Sequence, residues 1–342
     1  MRSDCELVLV QRKYPPAQKD YLDPRARLAK LICSPVEMAT LPHPIQYQGS
    51  KRNLASDILR FLPNRVERLV EPFTGTAAVS IAAASKPISQ KFWLNDLNKP
   101  LIELLKLIVE RPNEIMDAYA EIWNGQHHDS IGHYFEVRDS FNRTNDPKLF
   151  LYLLARCVKG AVRYNSQGFF NQSPDKRRKG TQPDKMRKNI EGVSILLKGK
   201  CKFTCLDYRE VLAEVKSNDF VYMDPPYQGV CGYRDSRYFS GINFDDFVLA
   251  LEQLNRKGVA FAISYDGKRG NKTFGNTLPK ELELKRIEIE VGRSSQATLL
   301  GREEITVESL YLSSNLLSGQ FSRIQTYISQ ASRQLTLLEK HG

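Results

Sequence analysis

Asp219-Phe220-Val221-Tyr222-Met223-Asp224-Pro225-Pro226-Tyr227 decides the reading of this chain. An apolar strand runs straight into Asp-Pro-Pro-Tyr. Two consecutive prolines stop the strand, remove two backbone donors and leave their carbonyls as acceptors. Asp224 adds a carboxylate acceptor and Tyr227 a flat face. Open α/β sheets bind ligands at the carboxyl ends of their strands. Acceptors beside a stacking platform suit a planar ligand bearing an amino group, with its hydrogens on Asp224 and the Pro225 carbonyl and its ring on Tyr227. The plain alternative is a strand end closed by a rigid turn. A bare Pro-Pro would favour that alternative; the full tetrapeptide after a buried strand does not.

Outward from this stretch, strands and helices alternate. Upstream, residues 68–71 read as a strand, 77–84 as a helix, 91–95 as a strand and 100–109 as a helix. Strands resume at 202–205 and, beyond 220–223, at 259–264, 284–291 and 305–312. Such alternation implies a parallel sheet with right-handed crossovers. Residues 112–160 break the pattern and read as mostly helical, and 164–183 as a polar, basic, irregular loop. The expected fold is therefore α/β, a doubly wound Rossmann-like sheet with an inserted helical module. The sheet domain takes residues 44–111 and 195–316, and the module takes 112–194. Residues 1–43 are an N-terminal extension in which Pro15, Pro16, Pro24, Pro35 and Pro42 interrupt any long element, apart from a short helix over 26–32. Residues 317–342 form a helical tail with Phe321, Ile324, Ile328, Leu335 and Leu338 on its apolar face. A helix over 53–62 ends at Pro63.

The 342 residues suffice for about two domains. With 41% apolar and 10% aromatic residues the chain is not wholly disordered. No apolar run approaches the ~20 residues that cross a bilayer, and Asp4 and Glu6 stand where a signal peptide carries basic residues. A soluble cytoplasmic protein with no membrane partner is expected. The net charge is +11, and residues 142–190 hold 12 Lys/Arg against Asp146, Asp175 and Asp184. So concentrated a basic field attracts a polyanion and releases its counterions; a solvated loop is the lesser reading. The six cysteines include no CxxC pair, and His127, His128 and His133 lack a carboxylate–histidine helix signature. No metal is expected, and the cysteines read as free thiols in a reducing compartment.

The catalytic stretch resembles the Asp-Pro-Pro-Tyr motif of the Dam-like (D12 class) adenine-N6 DNA methyltransferases, and other motifs stand in that family's order. Gln46-Tyr47-Gln48-Gly49-Ser50-Lys51 is similar to its N-terminal motif. Glu71-Pro72-Phe73-Thr74-Gly75-Thr76-Ala77-Ala78-Val79 is similar to its cofactor loop, with Ala77 where the family often has a second Gly. Asn95-Asp96-Leu97-Asn98 and Leu206-Asp207-Tyr208 match its acidic motifs. Arg163-Tyr164-Asn165-Ser166-Gln167-Gly168-Phe169-Phe170-Asn171 matches a segment that precedes the catalytic motif. The resemblance covers roughly residues 44–315. The cofactor loop is not the dinucleotide GxGxxG fingerprint, so a nicotinamide cofactor is disfavoured.

The resemblance implies methyl transfer from S-adenosyl-L-methionine to N6 of adenine in a short duplex DNA sequence, with base flipping and direct transfer. Asp224, Pro225, Pro226 and Tyr227 would be the catalytic residues. Tyr47, Lys51, Glu71, Phe73, Gly75, Asp96 and Asp207 would bind the cofactor: Asp96 the ribose hydroxyls, Asp207 the adenine amine, Tyr47 and Lys51 the methionine end. Any one of these acids, read alone, is as readily a surface or capping residue. Arg163, Tyr164, Asn165, Lys176, Arg177, Arg178 and Lys179 would bind DNA. Phe170 is expected to pack beneath the loop; Tyr164 fits packing or filling the gap left by an extruded base. The enzyme would serve a restriction-modification system or act as a solitary methylase. A cognate endonuclease would then be a genetic partner without a stable complex, and the chain a monomer. Methylation of cytosine N4, whose usual motif begins with Ser, of RNA, or an idle DNA-binding module are the rival readings.

Overall fold

The computed structural model describes residues 9–10, 41–226, 242–269, 272–274, 277–293 and 305–319. Among these residues nine strands form one sheet: β1 (Leu9–Val10), β2 (Arg68–Glu71), β3 (Phe92–Asn95), β4 (Cys201–Thr204), β5 (Asp219–Met223), β6 (Ala260–Arg269), β7 (Lys272–Phe274), β8 (Lys285–Arg293) and β9 (Ile305–Leu312). Their spatial order is β1-β8-β9-β6-β5-β2-β3-β4, with β7 folded back antiparallel on β6. The neighbours β6, β5, β2, β3 and β4 are parallel. The expected α/β sheet is thus present, with one departure. β9 enters antiparallel between β6 and β8.

The α-helices among the described residues are α1 (Ala55–Ile58), α2 (Ala78–Ser85), α3 (Lys99–Glu110), α4 (Pro112–Gly125), α5 (Ser130–Thr144), α6 (Pro147–Arg156), α7 (Pro183–Leu197), α8 (Tyr208–Glu214), α9 (Phe244–Arg256) and α10 (Ser314–Gly319). Alternation along the central strands divides them between two layers. Leu69, Phe92, Leu94, Phe220, Tyr222 and Ala262 join the core beneath α1–α7. Val70, Trp93, Val221, Met223, Phe261 and Ile263 join the core beneath α8 and α9. Strands buried on both faces read as continuous apolar runs, which is why 219–223 carries so little polarity.

The helices of the inserted region share the first of these cores, so Tyr119, Phe141 and Phe150 belong to the same apolar cluster as Leu69 and Leu94. α7 packs on α2, α3 and α4 and ties the region to the sheet. The helix expected over 53–62 is broken into 3-10 turns on either side of α1. The expected helix at 26–32 and all of the tail beyond 319 lie outside the described residues. Within the N-terminal extension, β1 pairs parallel with β8, Leu9 opposite Glu288.

Candidate active site

β2 has β3 on one side and β5 on the other; the chain runs outward through β3 to β4 and then returns to β5, so the strand order reverses between β2 and β5. At their amino ends Arg68 grips Asp219 with two bonds, Nε–Oδ1 at 3.0 Å and a second guanidinium nitrogen to Oδ2 at 2.6 Å. At their carboxyl ends a cleft of about 290 Å³ opens, as expected where strand order reverses. Its lining brings together Tyr47, Lys51, Glu71, Phe73, Gly75, Asp96, Asp207, Asp224, Pro225 and Pro226. These are all the residues expected around the cofactor and the reaction, except Tyr227, which lies outside the described residues. Arg163, Tyr164, Asn165 and Lys176–Lys179 are not in the lining.

The corner of the cleft at Asp224 is dominated by carboxylates around one cation. Lys51, only 6% exposed, sets its Nζ 2.9 Å from Asp224 Oδ1 and 3.2 Å from Glu308 Oε2 on β9. Burial pushes the Asp224 carboxyl up to about 6; Lys51 opposes that rise and Glu308 adds to it. Glu71, at the end of β2, is pushed up to about 8 by burial, against hydrogen bonds from Ser80 and with the Asp224 charge adding to the rise. Its Oε1 accepts from the Ser80 backbone N–H at 2.8 Å and from the Ser80 hydroxyl. Glu71 is therefore largely protonated at neutral pH, while Asp224 is largely ionised.

At the other end of the cleft the loop after β2 turns through Gly75 at φ +50°, and a Cβ there would meet nothing within 4 Å. Ala77 follows at φ +55°, a left-handed conformation that glycine adopts without strain. Asp96 Oδ2 accepts the Gly75 N–H and Oδ1 the Asn98 N–H, both at 2.9 Å. Burial raises its carboxyl above the usual range against these two bonds. Phe73 lies 5.3 Å from the Tyr208 ring, and Leu97 is exposed at the rim. An acid with lone pairs to spare, an apolar wall and a bare backbone suit a nucleoside.

Asp207 is the N-cap of α8 in a capping box with Glu210. Arg209 binds both its oxygens, at 2.8 and 3.3 Å, and holds its carboxyl below the usual range. Sequence reasoning missed Asn95. Its amide donates to the carbonyls of Pro72 and Leu206, and its Oδ1 accepts from Thr204 Oγ1 and the Leu206 N–H, all within 2.9 Å. One buried amide thus fixes the loops that carry Phe73 and Asp207. Its position at the end of a strand beside Asp96 was the available signal.

The loop bearing Tyr47 and Lys51 turns through Gly49 at φ +88°, closed by the Ser50 N–H on the Tyr47 carbonyl. Ser50 Oγ meets Thr76 Oγ1 at 2.8 Å and fastens this loop to the Gly75 loop. On its other side the Gln48 N–H donates to the Gly160 carbonyl at 2.9 Å. A Cβ on Gly160, at φ +60°, would sit 2.9 Å from the Gln46 backbone.

The basic region has its own scaffold. Residues 164–170 form a hairpin bridge, Tyr164 opposite Phe170, with Gly168 at φ +79° in the tip. Asn165 Oδ1 accepts the N–H groups of Gln167 and Phe169. Tyr164 and Phe170 are buried against each other, and Phe170 packs with Phe141 and Phe150. Burial lifts the Tyr164 hydroxyl to about 12, and Asn98 is its neighbour. Phe169 stays exposed at 46%. Arg163 and Lys176, Arg177, Arg178 and Lys179 all face solvent.

Beneath residues 175–179 lies Arg156, only 1% exposed. Its guanidinium donates to the carbonyls of Asp175 (2.7 Å), Arg178 (2.5 Å) and Ser130 (3.2 Å) and to Gln126 Oε1 (2.9 Å). Gln126 in turn donates to the Lys179 carbonyl at 3.1 Å. The loop read from sequence as irregular is thus held by its backbone, which leaves its four cations turned outward.

At 27% identity the chain matches a DNA N-6-adenine-methyltransferase of Escherichia phage P1, across 65% of this chain but only 29% of the phage protein's length. A DNA adenine methylase of Vibrio cholerae is also 27% identical, across 64% of this chain and 79% of its own. The type II methyltransferase M1.LlaDCHI of Lactococcus lactis subsp. cremoris is 26% identical, across 76% and 92%. A family model matches residues 47–294, which run from the Tyr47 loop through both strand ends that shape the cleft and into β8. The chain belongs to the D12 class of N6 adenine-specific DNA methyltransferases.

Proposed function

We propose that this chain transfers a methyl group from S-adenosyl-L-methionine to N6 of adenine in a short duplex DNA sequence, as the modification enzyme of a restriction-modification system or as a solitary methylase. One observation carries the reading: Asp224 and the two prolines line the same cleft as Gly75 and Asp96. Acceptors for an exocyclic amine therefore face a site suited to a nucleoside. Bound S-adenosylmethionine supplies a methyl group activated by a positively charged sulfur. Asp96 takes the ribose hydroxyls, Phe73 and Leu97 flank the adenine, and the lone pairs that Arg209 leaves on Asp207 accept its amine. Tyr47 and Lys51 cover the methionine end.

Adenine N6 is out of reach inside the stack, so the base is flipped at a cost of a few kcal/mol. Stacking on Tyr227, worth ~1–3 kcal/mol, offsets part of that cost. Asp224 and the Pro225 carbonyl accept the two N6 hydrogens and favour a pyramidal nitrogen whose lone pair points at the methyl group. The prolines bring no N–H to compete. Catalysis is then positioning and electrostatics. The nitrogen that gains the methyl sheds one proton, and ionised Asp224 is an acceptor for it. Arg163 and Lys176–Lys179 hold the phosphates. One strand is methylated at a time, so a single copy suffices, in the cytoplasm, and an endonuclease of the same specificity would be a genetic partner.

Native DNA from a methylation-deficient host expressing the chain, read at single-nucleotide resolution, tests this. N6-methyladenine in one short motif is the expected result. N4-methylcytosine, or modified RNA with unmodified DNA, would replace the substrate; soluble protein that binds neither S-adenosylmethionine nor leaves any mark would be an idle binder.

A further inference from the structure

Glu308 occupies an odd place. Along β9, Leu310 and Leu312 face the core beneath α1–α7, and Glu308 is two residues before Leu310, on the same face. Its neighbour on β8, Ile289, belongs to that core as well. A carboxylate at an inward strand position needs a partner. Here it is Lys51 Nζ at 3.2 Å, the ammonium that also lies 2.9 Å from Asp224. The β6–β9 ladder shifts register between Ser264 and Gly267, and Gly267 is the residue opposite Glu308. Such a shift re-aims side chains beside it.

We propose that Glu308 is a positioning residue for methyl transfer: it holds the Lys51 ammonium between two carboxylates, so that Asp224 is steadied without being neutralised and stays a strong acceptor for adenine N6. A lysine given wholly to Asp224 would form a closed ion pair and weaken that acceptor. Among the described residues, the charged and titratable groups around Asp224 are Lys51 from the Gly49 turn, Glu308 from β9 and Glu71 from the end of β2. Burial pushes the Glu71 carboxyl toward its neutral form, and its oxygen is engaged by Ser80, so the working balance lies among the other three.

The inference rests on the methylation reading for its purpose, and its test does not depend on that reading. Asp224 is titrated by carboxyl ¹³C NMR, assigned with Asp224→Asn, in the wild type and in Glu308→Gln. The expected result is a fall of about one unit in the Asp224 midpoint, since a like charge has gone and Lys51 is released to it. In turnover on the mapped DNA site, kcat should fall about tenfold or more, with its acid limb moved the same way and S-adenosylmethionine binding unchanged. Glu308→Asp, which keeps the charge, should restore the midpoint and part of kcat, and serves if the Gln variant does not fold. An unmoved Asp224 midpoint overturns the proposal. A moved midpoint in a protein that never methylates adenine sustains the sharing of Lys51 between Glu308 and Asp224 and overturns the methylation reading that gives it its purpose.

Discussion

Replacing Arg156 with Lys keeps the charge and the approximate length but removes the fork. Arg156 makes four hydrogen bonds between 2.5 and 3.2 Å, three of them to backbone carbonyls. A tetrahedral ammonium on a shorter stem can serve about two of these acceptors at once. Two lost bonds from a charged donor, at ~1.5–3 kcal/mol each, set a ceiling of about 3–6 kcal/mol; partial repair by water brings the expected cost to about 2–4 kcal/mol. Because two of the carbonyls belong to Asp175 and Arg178, the loss should fall on the basic loop first. Equilibrium denaturation gives the stability change, and limited trypsin digestion reports cleavage at Lys176–Lys179 under native conditions. The expected outcome is lower stability with faster cleavage there, while S-adenosylmethionine binding is retained. A change of less than about 0.5 kcal/mol with unaltered cleavage would refute the view that Arg156 holds this loop.

Asp224→Ala should lower turnover at least ~10²-fold while cofactor and DNA still bind, read by methyl transfer and by titration of each ligand; near-normal turnover would sink the assigned chemistry. Neutralising Arg177 and Arg178 together to Gln should reduce the slope of log K against log salt by about 1.8, if each holds one phosphate. Glu71, raised to about 8 from 4.5, binds a proton in the native state that the unfolded chain releases. Its protonated form favours the fold fully below pH 4.5, and that contribution is lost as pH rises toward about 8. Glu71→Gln should flatten the fall in stability across that window, and an unchanged pH slope would count against the shift. Ala77→Gly removes ~1–2 kcal/mol of left-handed strain but also a buried methyl and some unfolded-state restriction. Thermal unfolding should therefore place it within about 1 kcal/mol of the wild type, whereas β-branched Val there should be clearly destabilising.

The sheet was legible because both of its signals are local. Apolar runs such as 220–223 mark strands buried on two faces, and their alternation with helices leaves few topologies. The clustering of Gly75, Asp96 and Asp207 in one cleft was legible for the same reason: each follows closely on a strand end. What escaped was long range. Glu308 is more than 250 positions from Lys51 and about 80 from Asp224, and nothing in Val307-Glu308-Ser309 says which face the acid takes. The reversal of β9 was hidden because a strand's composition does not encode its direction. Arg156 was counted among the cations that give the region its charge, yet it is buried, and only the carbonyls above it reveal its work. Tyr164 could be read as packing or as a base-gap filler from its neighbours; its burial beside Phe170 gives the first.

The contact of Gly160 with the Gln46 backbone joins two functions. One side of that contact is the turn that carries Tyr47 and Lys51 into the cleft; the other leads within three residues to Arg163 and the hairpin. Backbone against backbone, with a 2.9 Å hydrogen bond beside it, leaves no flexible side chain to absorb a shift. Whatever moves one segment moves the other. If cofactor and DNA occupy the cleft and the basic face as proposed, any coupling carried by this contact is mutual: the factor by which cofactor tightens the hold on DNA equals the factor by which DNA tightens the hold on cofactor.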